Sequence, residues 1–237
     1  MKPVAIFRHA RSEGPAYFAT WLDGRGIPWK LFALDEGRAV PRVVDKFSGL
    51  AFMGGPMSVN DDHLPWIRPL LAFAREAARR DLPMIGHCLG GQLMSKALGG
   101  EVTRAKVKEI GWGDVEVADN AVARDWFGAV SNFEAFHWHG EAFSIPPGGT
   151  RVLSSVHCAN QAFVLGKHLG MQCHVEMTED LIRAWCKGGA KEIEASKASP
   201  GVQPAAKIEK NLEARVAALH RAAGRLYDRW AEGLPKG

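Results

Sequence analysis

Pro83-Met84-Ile85-Gly86-His87-Cys88-Leu89-Gly90-Gly91-Gln92 is the most informative stretch of this chain. The first four residues are short and apolar, as a buried parallel strand is. From Gln92 the pattern turns helical, runs to Leu98 and stops at Gly99-Gly100. Cys88 therefore falls in a tight turn between a strand and a helix. Such a turn needs small residues two positions to either side, and Gly86 and Gly90 supply them. The turn would expose the sulfur at the C-terminal edge of the sheet, where open α/β sheets place their sites. The dipole of the following helix favours thiolate over thiol, and the amide of Leu89 is placed to donate to an oxyanion. An isolated cysteine is more often a small, inert packing residue; the glycine pattern between an apolar strand and helix tilts the balance here.

On the N-terminal side, residues 4–7, 29–34 and 48–53 are strand candidates. Residues 14–26 and 66–80 read as helices, the second opened by Pro65 and closed before Pro83. Strands alternating with helices at this pitch predict an α/β protein with a mostly parallel sheet covered on both faces. The second half is richer in strands, at 109–117, 133–138, 151–155, 162–165 and 169–173. Thr178 then caps a helix that Gly188 ends. Residues 189–204 read as a loose connector with a short helix. From Ala205 the apolar residues Ile208, Leu212, Val216, Leu219, Ala223, Leu226 and Trp230 form one helical stripe. This predicts a terminal helix packed back on the main body, with dimerisation as the sharper alternative. The organisation expected is a main domain over 1–187 and a connector plus helix over 188–237.

Composition removes several classes. With 46% hydrophobic and 24% charged residues the chain is neither disordered nor fibrous. Its apolar runs are too short to cross a bilayer, and Arg8 and Arg11 interrupt any signal-peptide core, so a cytoplasmic protein without membrane contact is expected. The formal charge of +4 falls entirely after Cys186, the residues before it balancing out. A neutral main body argues against nucleic acid as a partner. Four cysteines without a C-x-x-C pair offer neither a disulfide framework nor zinc-ribbon spacing. His137 and His139 share a strand face, but no third ligand is visible in the spacing, so no metal is expected. No G-x-x-x-x-G-K-[ST] loop is present, and no cofactor is predicted.

Two further stretches bear on Cys88. Gly54-Gly55 follows the third strand at the same sheet edge, where it can turn a second backbone N–H towards an oxyanion. His174-Val175-Glu176 closes the last strand. A cysteine nucleophile needs a base, and that imidazole needs a carboxylate to fix its tautomer; two residues apart on extended chain share a face.

In this order, Gly86-His87-Cys88-Leu89-Gly90-Gly91-Gln92 and Gly170-Met171-Gln172-Cys173-His174-Val175-Glu176 resemble the G-x-C-x-G-x-Q and G-x-Q-F-H-P-E motifs of class I (triad) glutamine amidotransferases. The likeness covers roughly residues 1–187. It is nearest to the standalone branch similar to the amidotransferase part of GMP synthase. Gly54-Gly55-Pro56-Met57-Ser58-Val59, Glu109-Ile110-Gly111-Trp112, Trp138-His139-Gly140-Glu141 and Asn160-Gln161-Ala162-Phe163 also resemble stretches of that branch.

The resemblance implies a three-layer flavodoxin-like fold and a triad of Cys88, His174 and Glu176. It implies an oxyanion hole from the amides of Leu89 and Gly55, and contacts to substrate at Gly54, Gln92 and His139. The activity implied is hydrolysis of the glutamine side-chain amide through a γ-glutamyl thioester, with ammonia released to a separate synthetase subunit. No synthase domain follows residue 187, so a standalone hydrolase of γ-glutamyl amides is the first alternative, and a non-catalytic module that kept the fold is the second. Three departures carry expectations of their own. Val175 replaces the motif proline and would loosen the His174–Glu176 alignment. Cys173, in place of phenylalanine, carries no chemistry. Gly91, in place of a bulkier residue, would enlarge the pocket.

Overall fold

The computed structural model describes residues 1–235. Strands β1 (Val4–Arg8), β2 (Trp29–Ala33), β3 (Gly49–Phe52), β4 (Met84–His87) and β9 (His168–Met171) lie side by side in one parallel half-sheet, in the order β2-β1-β3-β4-β9. The strands between β4 and β9 in sequence are β5 (Val102–Val117), β6 (Asn132–Phe143), β7 (Thr150–Ser154) and β8 (Ala162–Leu165). They extend the sheet antiparallel, β9-β8-β7-β5, with β6 paired along β5 as a long hairpin arm.

Side chains alternate across the parallel strands, which is why their sequences are apolar throughout. Val4 and Ile6 enter one core with Ala51, Met53 and Ile85; Ala5 and Phe7 enter the other with Leu50 and Phe52. The first core is covered by α1 (Ala16–Gly24) and the second by α2 (Ile67–Arg79) and α3 (Leu89–Ala97). The result is the three-layer α/β architecture expected. Helices α4 (Ala121–Phe127), α5 (Glu179–Gly188), α6 (Ala190–Ser196), α7 (Ala205–Ile208) and α8 (Leu212–Ala231) complete the chain. Thr178 caps α5 as expected, its hydroxyl accepting from Leu181 N–H.

The C-terminal region departs from its reading. The stretch before Ala205 is not merely a connector, since β10 (Gly201–Val202) pairs in parallel with Glu109 and Ile110. The single stripe from Ala205 is two helices, broken between α7 and α8 where Asn211 takes φ +54°. Gln203 ties the chain just ahead of α7 to the sheet: its amide donates to Trp112 O at 2.6 Å and its carbonyl accepts from Trp112 N–H at 3.0 Å. The apolar stripe itself is buried, with Leu219, Ala223, Leu226 and Trp230 in the same core as β1 and α1. No helix among the described residues is long and apolar enough to cross a membrane.

Candidate active site

The C-terminal ends of β1, β3, β4 and β9 meet along one margin of the sheet, and each is followed by a residue that matters there. After β4, Cys88 N–H donates to Met171 O at 2.9 Å, carrying the β4–β9 pairing one step beyond the strand. The backbone of Cys88 then turns sharply, at φ +51° and ψ −109°, and α3 begins at Leu89. A non-glycine residue in that region is strained and is held there by its surroundings. The glycines around it are required by contact: a Cβ on Gly86 would come within 2.5 Å of the Gly90 backbone, and one on Gly90 would collide with Phe52 O. Gly91 does not widen the pocket. A Cβ there would strike the Met171 backbone, so this glycine lets α3 lie against β9.

Beyond β9, His174 and Glu176 arrive on the same side of the extended chain. His174 Nδ1–H donates to Glu176 Oε1 at 2.6 Å, and both residues are buried. Burial disfavours charge on His174, but the negative charges of Glu176 and Cys88 overcome it and raise its pKa well above the ordinary imidazole value. Burial pushes the Glu176 pKa up, but the pull of His174 outweighs it and holds the carboxyl at about 2. Val175 does not loosen the pair. His174 bridges Phe136 in both directions, N–H to O at 2.8 Å and O from N–H at 3.4 Å, and Val175 is fully buried.

The Cys88 sulfur accepts from Gln172 Nε2 at 3.6 Å and lies 3.7 Å from Trp138 O. Neither Leu89 N–H nor Gly55 N–H has a backbone acceptor among the described residues. The Gly54–Gly55 loop is held by His9, the residue after β1, whose Nδ1–H faces Met53 O at 3.0 Å and Gly54 O at 3.3 Å. Burial takes the His9 pKa to about 4, so the ring is neutral.

Gln92 lies one helical turn past Cys88, on the cleft wall. Its Nε2 donates to Gln172 Oε1 at 3.2 Å and Glu141 O at 3.3 Å. His139 is in the cleft wall too, but its ring turns inward and does not reach for a ligand. Nδ1 lies 3.0 Å from Glu141 O and Nε2 lies 3.0 Å from Glu109 Oε2. Glu109 also accepts from Gln161 Nε2 at 3.0 Å and Ser155 Oγ at 3.2 Å. Three of the sequence motifs thus converge on one buried network that fixes β6 at residues 139–141. The structure also brings Glu109, His139 and Cys158 together, their ligand atoms within 4.8 Å. This third candidate beside His139 was invisible in the spacing. The carboxylate is already satisfied by hydrogen-bond donors, so the group is read as this network.

Sequence reasoning missed several residues. Tyr227 of α8 hydrogen-bonds His87 Nε2 at 3.0 Å, and the same nitrogen lies 3.9 Å from Glu176 Oε2. Trp185 stands edge-on to His174, ring centroids 5.0 Å apart. Glu13 reaches over Gly54, where an added Cβ would collide with its carboxylate and touch His174 Cε1 at 3.1 Å. For His9 and Glu13 the only available signal was their place just after β1, at the same margin as Cys88. Cys88, Gln92, Gly55, Glu13 and Trp185 line a cleft of about 1130 Å³.

A doubly covered parallel sheet, a strained cysteine at its margin and a histidine–carboxylate pair beside it define a class that comparison identifies. The chain belongs to the glutamine amidotransferase class-I family, whose model matches residues 25–182. A solved glutamine amidotransferase from Methylobacillus flagellatus is 45% identical and superposes with a TM-score of 0.97, covering 100% of this chain and 97% of that one. The glutamine amidotransferase-like protein YfeJ of Salmonella typhimurium is 26% identical, over 78% of this chain and 80% of its own length. Gamma-glutamyl peptidase 3 of Arabidopsis thaliana is 26% identical over 70% of this chain and 69% of its own length.

Proposed function

We propose that this protein hydrolyses the side-chain amide of glutamine, or of a γ-glutamyl compound, through a thioester on Cys88. The observation that carries this reading is the meeting of Cys88, His174 and Glu176 at one sheet margin, with the ring bonded to the carboxylate at 2.6 Å. The raised pKa of His174 supports an imidazolium beside Cys88 in the resting site. The sulfur attacks the amide carbon, and the oxygen takes the negative charge between the amides of Leu89 and Gly55. His9 holds the Gly54 carbonyl, so the Gly55 N–H points the opposite way across the planar trans peptide. The C–N bond breaks as His174 gives its proton to the leaving nitrogen. Water then attacks the thioester carbon, His174 takes the water proton, and the C–S bond breaks to return thiolate and glutamate.

Gln92 lines the acyl side, where its carbonyl is free to accept from the α-ammonium, and Gly54 would meet the substrate from its place under Glu13 and beside His174. His139 positions its own stretch of β6 through Glu109 and Glu141. Ammonia released from glutamine would pass to a separate synthetase subunit. The second reading, a γ-glutamyl amide hydrolase working alone, is favoured by the cleft volume, several times what glutamine needs. Incubation with a glutamine-like diazoketone followed by peptide mass spectrometry tests the chemistry. One adduct on Cys88, absent in Cys88→Ala, is expected; modification elsewhere, or no modification, defeats it.

A further inference from the structure

The leaving-group side of the cleft carries a charge that the chemistry above does not use. Glu13 sits in the loop between β1 and α1, and that loop is pinned onto the site. Trp185 Nε1–H donates to Ser12 O at 2.7 Å, Tyr17 N–H donates to Glu176 O at 2.9 Å, and Ala16 takes φ +41° to make the turn. The carboxylate is therefore delivered to one place, above Gly54 and against the Cε1 edge of His174. That edge adjoins Nε2, the atom that protonates the departing nitrogen. No hydrogen bond or ion pair engages the Glu13 carboxylate among the described residues, and burial raises its pKa to about 7. A half-buried carboxylate with no hydrogen bond, whose nearest cation is the His174 ring edge, is a costly arrangement that a cationic ligand relieves.

The surroundings separate the two halves of a substrate. On the acyl side stand Gln92, Glu141 and Arg104, the last paired in register with Glu141 on neighbouring strands. On the other side, beyond His174, stand Glu13 and the indole of Trp185, an acid next to an aromatic face. Glu192 lies farther along but is already committed to Lys108 and to Trp138 Nε1. Glutamine, whose leaving group is ammonia, fills none of this space.

We infer that the site prefers γ-glutamyl amides whose leaving amine carries a second, positively charged nitrogen, held by Glu13 beside Trp185. This deepens the proposed function and rests on it. The carboxylate takes no covalent part. It binds the distal ammonium while Cys88 and His174 break the amide, so hydrolysis yields glutamate and a free diamine. An anionic leaving group, such as an amino acid, would meet Glu13 with repulsion.

The test is kcat/KM on three amides of matched length: γ-glutamyl-1,4-diaminobutane, γ-glutamyl-n-pentylamide and γ-glutamyl-4-aminobutanoate. In the native chain the cationic amide is expected to exceed the neutral one by about tenfold, the factor that about 1.4 kcal/mol makes, and the anionic one to trail both. Glu13→Gln, which keeps the shape, should bring the cationic-to-neutral ratio close to one. An equal ratio in both proteins, or a native preference for the neutral or anionic amide, overturns the inference while leaving the amide chemistry standing. Failure on all three amides and on glutamine, with no diazoketone adduct on Cys88, brings down both.

Discussion

Tyr227, on the last helix, hydrogen-bonds His87 Nε2 at 3.0 Å, and through that ring it backs the carboxylate of Glu176. All three side chains are buried, and burial lowers the His87 pKa, so a neutral imidazole stands between the phenol and the carboxylate. Helix α8 is thus part of what aims His174. Tyr227→Phe removes one buried hydrogen bond of about 1–1.5 kcal/mol and leaves His87 free to turn. A fall in kcat of about tenfold at nearly constant KM is expected, with an unchanged circular dichroism spectrum. Full kcat in the variant would make Tyr227 a packing residue only.

The link between His9 and the Gly54 carbonyl makes a prediction about the oxyanion site. His9→Ala frees the 54–55 peptide to rotate, and kcat should drop by about a hundredfold, near the loss of a single oxyanion donor. His9→Asn keeps a donor near the Nδ1 position and should recover most of that loss. Steady-state kinetics on glutamine or a γ-glutamyl amide reads both, and equal damage in the two variants counts against the peptide-orienting role.

Glycine contacts separate close packing from open space. Gly90→Ala drives a methyl group into Phe52 O and should cost about 3 kcal/mol or more in denaturant unfolding. Gly24→Ala meets nothing within 4 Å and should change stability by less than about 1 kcal/mol.

Acid should weaken the fold before it protonates the triad carboxylate. Burial lowers the pKa of His9, His137 and His168 to about 4 each. Their unfolded values lie near 6.5. Between these values the unfolded chain binds more protons than the folded one, so stability is full above about pH 6.5 and is lost as pH falls towards 4. Thermal unfolding should show a Tm falling steadily from pH 7 to pH 4.5. Glu176, at about 2, stays ionised throughout that range. A Tm that is flat across this interval would contradict the buried, neutral state of these rings.

The activity of the native chain on a cationic amide should rise through about pH 7. Burial raises the Glu13 pKa to about 7, His174 pulls it down, and Glu176 and Glu192 push it up. Below that value the carboxyl is neutral and loses its hold on an ammonium. Glu13→Gln should lack this limb in kcat/KM. Identical profiles for the two proteins would assign the limb to another group.

What was legible in the sequence follows from the range of the interactions. Cys88 between Gly86 and Gly90, and His174 two places before Glu176, are local patterns fixed by strand and turn geometry. The strand at 162–165 was also local, bounded by polar turns, and it forms as read. The arm of β5 before Glu109 was missed because Thr103, Arg104 and Lys106 carry no apolar alternation. It is a strand because β6 pairs with it, with a register shift between Arg104 and Glu109. Glu13, Trp185 and Tyr227 were unreadable for a related reason: their partners lie far away in the chain, at Gly54, His174 and His87. The Glu109–His139–Gln161 network shows the intermediate case, where each motif was visible but their meeting was not.

The turn at Cys88 sets an order of failure on heating. Its backbone, at φ +51°, is kept in place by the bond from its amide to Met171 O and by close-packed glycines on either side. Fraying of the β4–β9 junction would let the turn relax to an ordinary conformation, swinging the sulfur away while both cores are still intact. Inactivation should therefore precede melting, and on cooling it should reverse as long as the cores have held.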